Sequence, residues 1–114
     1  SEPFLEAMAR VRRQVGSPDE VWCASGSGML ARCLGLAFPE SKVVGIAVGL
    51  ASRHGEQQFS SNVELRPASL KFEQEERRPA PFPSCPNYDR KAWVALETAA
   101  SIGPRRARLM WNVL

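Results

Sequence analysis

The sequence predicts an α/β fold, a three-layer Rossmann-like domain built on a short, mostly parallel sheet. Three observations carry that expectation. Val21-Trp22-Cys23-Ala24 is a short apolar run that enters a turn of small residues, Ser25-Gly26-Ser27-Gly28, and a helical pattern leaves the turn. Val43-Val44-Gly45-Ile46-Ala47-Val48 is almost continuously apolar, as strands covered on both faces are. With a helix between the two runs, residues 21 to 48 read as a βαβ crossover, right-handed by the strong rule for such units.

Taken in order, residues 3 to 15 form an amphipathic helix with Phe4, Leu5, Met8, Val11 and Val15 on one face and Glu6, Arg10, Arg13 and Gln14 elsewhere. Ser1 or Glu2 would cap it, Pro3 suits its first turn, and Gly16 stops it. Ser17-Pro18-Asp19-Glu20 is a turn into the first strand. The second helix runs from about 28 to 38 with Leu30, Cys33, Leu34 and Ala37 inward, and Pro39-Glu40-Ser41-Lys42 ends it. Residues 49 to 86 read as a long irregular insert. Within it, Val63-Glu64-Leu65-Arg66 and Leu70-Lys71-Phe72 are strand candidates that the intervening Pro67 confines to edge or irregular structure. Glu73 to Arg78 is a charge run expected on a solvated surface. Pro79 to Pro86 holds four prolines in eight residues and reads as an extended connector. The helical period returns from Asn87, with Ala92, Trp93, Leu96, Ala99 and Ala100 on one face and Asp89 near the favourable N-terminal end. Ile102-Gly103-Pro104 closes that helix, and Arg106 to Leu114 reads as a last strand, for three helices and three well-marked strands.

With 114 residues the chain makes one domain, 1–114, able to bury a core of ordinary size. A net charge of +3 without a Lys/Arg block argues against nucleic-acid binding. No apolar run is long enough to span a membrane, and the N-terminus lacks a signal-peptide pattern. Cys23, Cys33 and Cys85 have no metal-ligand spacing, and the first two fall at core positions, so a cytoplasmic protein is expected. The sequence starts at Ser1 rather than Met, so that start is not taken as a natural one.

The Ser/Gly turn is the candidate site. Ser25, Gly26, Ser27, Gly28 and Met29 are placed to offer backbone amides to a phosphate, and the following helix aims its positive end at the same spot. The other reading is a tight turn and nothing more. His54, the single histidine, sits in a predicted loop without partners. Ser25 and Ser27 have no partner base, and Gly26-Ser27-Gly28 is not a nucleophile elbow. No lysine follows the turn as a Walker loop requires. Gly26-x-Gly28-x-x-Ala31 matches the dinucleotide fingerprint formally, but Val48-Gly49-Leu50 stands where its acidic residue belongs. A nucleotide-binding Rossmann-like domain therefore stays open as an alternative.

The run from Asp19 to Gly49 resembles the large-domain segment of fold-type II pyridoxal-phosphate enzymes, the group of cysteine synthase, threonine deaminase and the aminocyclopropane-carboxylate deaminase and D-cysteine desulfhydrase branch. In that family a strand leads into a Gly/Ser/Thr loop around the cofactor phosphate, a helix follows, and a Lys-Val-Val/Ile-Gly-Val strand comes next. Here the loop is Ser25-Gly26-Ser27-Gly28 and the strand Lys42-Val43-Val44-Gly45-Ile46. Tyr88-Asp89-x-Lys91-x-Trp93 and Leu109-x-Trp111-Asn112 resemble a tail found in small proteins grouped with that family. The resemblance implies that the amides of Gly26, Ser27 and Gly28, and the hydroxyl of Ser25 or Ser27, hold the phosphate of pyridoxal phosphate.

The departures from the family are chemical. Gly28-Met29-Leu30 replaces the usual Gly-Gly-Thr. The family's Schiff-base lysine lies in an N-terminal part that this sequence does not contain, and the smaller domain that closes on the substrate is absent as well. Lys42 aligns with a strand start, and Lys71 and Lys91 fall in no matching motif. The expectation is a phosphate- or cofactor-binding module that is not catalytic alone; were it an enzyme, it would resemble a lyase or deaminase. The competing expectation is a structural or interaction protein whose Pro-rich segment, or Trp93 and Trp111, meets a partner. Open edges of a short sheet favour a homodimer or a partner chain.

Overall fold

A computed structural model describes residues 2–48, 58–71 and 73–112. In chain order the elements are α1 (Glu2–Val15), β1 (Glu20–Ser25), α2 (Met29–Ala37), β2 (Lys42–Ala47), β3 (Val63–Pro67), α3 (Asp89–Ile102) and β4 (Arg108–Met110). The strands form one parallel sheet in the order β3-β2-β1-β4. His54, Phe72, Val113 and Leu114 lie outside the described residues, as do Ser1 and the side chain of Glu2, the expected caps of α1.

Alternation along the central strands divides the core into two layers. Val21, Cys23 and Val43 point to the face covered by α1 and α2, where Met8, Ala31, Cys33, Leu34 and Phe38 pack. Trp22, Ala24, Val44 and Ile46 point to the other face, against Ala92 and Leu96 of α3. The result is the α/β/α three-layer arrangement. The crossover from β1 through α2 to β2 pairs the strands in parallel from Glu20↔Lys42 to Ser25↔Ala47. The helix comes close to β2 where the strand lacks a side chain: a Cβ on Gly45 would lie 3.3 Å from the Ala31 Cβ and 2.9 Å from the Leu65 Cδ2.

Several expectations change. Phe4 and Val15 are exposed, because α1 leans on α2 and one neighbour buries only a narrow stripe around Met8. Pro67 does not separate β3 from the sheet; it is the strand's last paired residue, opposite Ala47, which an edge strand tolerates. That edge is charged, with Glu64 bound to Lys42 at 2.8 Å and to Arg66. Leu70 and Lys71 form no strand.

The charge run is not wholly solvated. Glu76 is buried, its N–H donating to the Pro86 carbonyl at 2.8 Å and its carboxylate accepting from the Arg78 guanidinium at 3.0 Å. The last strand is shorter than expected, although the Trp111 N–H extends its ladder to the Trp22 carbonyl at 2.8 Å.

Trp93 packs edge-on against Phe82 and Trp111 against Phe38, so both rings have partners inside the chain. All three cysteines are free thiols, with Cys23 and Cys33 buried and Cys85 half-buried. Among the described residues, no helix is long and apolar enough to cross a membrane, and no side-chain cluster suits a metal ion.

Candidate functional site

The strand order decides where a ligand can meet the sheet. From β1 the chain crosses over α2 to β2 and β3, then returns over α3 on the opposite face to β4, on the other side of β1. The two crossovers diverge between β1 and β4, and open α/β sheets bind ligands at such a switch point, outside the carboxyl ends of the strands. The turn from Ser25 to Gly28 lies at the carboxyl end of β1, beside this divergence.

Its local geometry follows from residue size. Gly28 is the N-cap of α2 with φ 95° and ψ −9°, a left-handed conformation that strains any residue with a Cβ. No side chain caps α2 through Gly28, and no acidic residue of the helix itself occupies its first turn. Ser27 is exposed, and its Oγ accepts a long hydrogen bond from the Met29 N–H at 3.4 Å. Ser25 is different: it is completely buried as the last residue of β1, and its carbonyl accepts from the Val48 N–H at 3.0 Å. The accessible part of the turn is therefore Gly26, Ser27 and Met29, with Gly28 buried as the pivot.

Tyr88, immediately before α3, reaches across to the turn. Its hydroxyl takes a hydrogen bond from the Gly26 backbone, and a Cβ on Gly26 would lie 3.5 Å from that oxygen. Burial raises the phenol above its usual value, the Gly26 amide pulls it the other way, and the Asp89 charge adds to the rise. Asp89 is only 1% exposed at the first turn of α3, where the helix end favours a carboxylate. Burial, helped by the same carboxylate, pushes the Cys23 thiol up to about 12.

Beside the turn, the N-terminal ends of α1 and α2 border an open hollow of about 670 Å³. Ser27, Met29 and Tyr88 belong to both features; Pro3, Phe4, Leu30 and Cys33 complete its wall. The volume falls in the range of small-molecule sites, which run to about 300–1,000 Å³ and are mainly apolar with a few polar groups.

None of the three lysines lines the hollow beside the turn. Lys42 begins β2 at the opposite end of the sheet and pairs with Glu64 at 2.8 Å. Lys91 is 4% exposed, and its Nζ donates to the Lys71 carbonyl at 2.7 Å.

Sequence reasoning singled out the turn but missed its surroundings. Tyr88 is remote in sequence from Gly26 and carried no signal beyond a motif resemblance. Phe4, which spacing places on the apolar face of α1, borders the hollow and is 44% exposed. Comparisons with known protein families, characterised proteins and solved structures find no match for this chain.

Proposed function

We propose that this chain is a phosphate-binding α/β module that is not catalytic by itself, with Gly26, Ser27, Gly28 and Met29 as the anion loop. The observation that carries the reading is a left-handed Gly28 at the N-terminus of α2, placed at the carboxyl end of β1 where the two crossovers diverge. Ser25 contributes through the backbone geometry of the strand end, since its side chain is buried.

Pyridoxal phosphate is the candidate cofactor that the fold-type II resemblance suggests. The chain's residues suit its phosphate and not its aldehyde. A Schiff base needs an amine at the site, whereas Lys91 is buried on the Lys71 carbonyl, Lys42 stands at the far end of the sheet, and the exposed Lys71 does not line the hollow beside the turn. Buried free thiols support a reducing, cytoplasmic setting, and the open outer edges of β3 and β4 support a homodimer.

The test is a titration of the chain with inorganic phosphate and with pyridoxal phosphate, followed by calorimetry and absorbance. Both bind without an aldimine band, and Ser27→Asp abolishes binding while the exposed position leaves the fold intact. An aldimine band lost on replacing one lysine would make the chain an enzyme. Binding of neither compound would leave the loop a turn and favour an interaction protein.

A further inference from the structure

The two edges of the sheet differ in what they offer a further strand. Along a strand, the N–H and C=O of one residue point to the same side and those of the next residue to the other. On β3, the Asn62 carbonyl accepts from the Val43 N–H at 2.8 Å and the Ala68 N–H donates to the Ala47 carbonyl at 3.3 Å, so the even-numbered residues face β2. Val63, Leu65 and Pro67 therefore face outward. The Val63 N–H is taken by the Ser60 carbonyl at 3.1 Å and Pro67 has none, which leaves Leu65 as the one outward donor of β3.

β4 has the opposite character. The Ala107 carbonyl accepts from the Glu20 N–H at 3.1 Å and the Trp111 N–H donates to the Trp22 carbonyl at 2.8 Å, so the odd-numbered residues face β1. Arg108 and Met110 turn their backbone groups outward, and the same alternation carries on to Asn112. None of these is proline. No described element lies beyond β4, since α3 rests mainly on β1 and β2, and α1 on α2. Leu109, Met110 and Trp111 are each only half-buried, so apolar surface remains on both faces of this edge.

We propose that β4 is the dimer edge, pairing antiparallel with β4 of a second copy about a two-fold axis at Met110 and joining the two sheets into one. This rests on the homodimer reading above, and names its edge and register. The register is self-complementary, as an isologous contact must be. On the α1 and α2 face it sets Leu109 opposite Trp111 of the second copy. On the α3 face it sets Met110 opposite Met110 and Arg108 opposite Asn112, so apolar meets apolar and no like charges face each other. Arg108 is already neutralised by Glu20 at 2.8 Å. A two-fold at Arg108 would oppose two arginines, and one at Leu109 would set Arg108 against Met110. On β3, a two-fold at Leu65 would oppose Val63 to Pro67, where neither strand has an N–H to give.

The test is sedimentation of the whole chain over a range of concentrations, with amide hydrogen exchange followed by NMR at each. The chain dimerises, and exchange at Arg108 and Met110 slows as the dimer forms, while Leu65 keeps its rate. Met110→Glu and Met110→Lys each lose the dimer, because position 110 faces itself across the axis. An equimolar mixture of the two regains it, since opposite charges then meet. The exchange comparison uses the unaltered chain, so it stands even where a substitution weakens the fold. A dimer that slows Leu65, or slows neither edge, overturns the β4 pairing and leaves the homodimer reading standing. So does a mixture of folded variants no more dimeric than its components. A monomer at every concentration leaves β4 to a different chain, and overturns this proposal together with the homodimer reading.

Discussion

Glu20 offers the sharpest test of how the last strand is held. Its carboxylate is 6% exposed and accepts from the Trp22 Nε1 at 2.9 Å, the Arg108 Nε at 2.8 Å and the Arg106 Nη1 at 3.4 Å. It thereby ties β4 to β1 across a ladder that is only three residues long. Glu20→Ala leaves Arg108 nearly buried without its counter-ion and Trp22 without its acceptor. Removing one member of a buried pair costs about 3–5 kcal/mol. The exposure of Arg106 means that solvent recovers part of this, which brings the expected loss to about 2–4 kcal/mol. Glu20→Gln keeps an acceptor oxygen for Trp22 but loses the charge, and costs about 1–2 kcal/mol.

The pH dependence carries a definite sign. Burial pushes the Glu20 carboxyl up, but hydrogen bonds from Trp22 and Arg108 and the two arginine charges outweigh it and hold the group below its ordinary value. A depressed carboxyl stabilises the fold above its unfolded value of about 4.3, and that stability disappears as pH falls through the lower folded value. Urea unfolding of wild type and both variants, followed by tryptophan fluorescence from neutral to acid pH, measures each quantity. The gap between wild type and Glu20→Gln narrows on acidification. A loss under about 1 kcal/mol for Glu20→Ala, or a gap that widens in acid, would refute the reasoning.

Other substitutions probe the packing and the site. Gly35→Ala in α2 would place a Cβ 2.4 Å from the Val63 Cγ2 and 2.7 Å from the Ser60 Oγ. The overpacking cost of about 1–3 kcal/mol outweighs the helix-propensity gain of about 1 kcal/mol, so the urea midpoint falls with an unchanged slope. Gly28→Ala, with φ 95° at the α2 N-cap, costs about 1–2 kcal/mol, and Gly28→Asn costs less; thermal unfolding ranks the two. A thiol reagent modifies Cys85 quickly in the native protein, whereas Cys23 and Cys33 react only at the rate of unfolding. Cys23, raised to about 12, stabilises the fold below its unfolded value of about 8.5; this contribution is lost as pH rises from there toward the folded value, and Cys23→Ala flattens that alkaline decline.

What was legible in the sequence was local. A short, β-branched apolar run is typical of a strand covered on both faces, and a Ser/Gly turn between such a run and a helical period reads as a βαβ unit, so β1, α2 and β2 were readable. The need for a glycine at position 28 belongs to the same turn. The three helices follow from their apolar period, although the burial of each stripe does not: Phe4 and Val15 fit the seam of α1 by spacing and are left exposed because α2 covers only part of it.

The tertiary structure decided how distant segments meet. That β4 lies beside β1, which turns an ordinary strand-to-helix loop into a loop at a switch point, depends on α3 crossing the opposite face. The partnership of Gly26 with Tyr88, of Glu20 with Arg108, and of Phe4 with Met29 joins residues far apart in the chain. Glu76 inside a charge run is buried partly for the same reason: Arg78 holds its carboxylate locally, but Pro86 and Arg90 meet its backbone from farther along the chain. Periodicity reports which face of an element is apolar; only packing determines which other element meets that face, and the hollow beside the turn exists only once those elements have met.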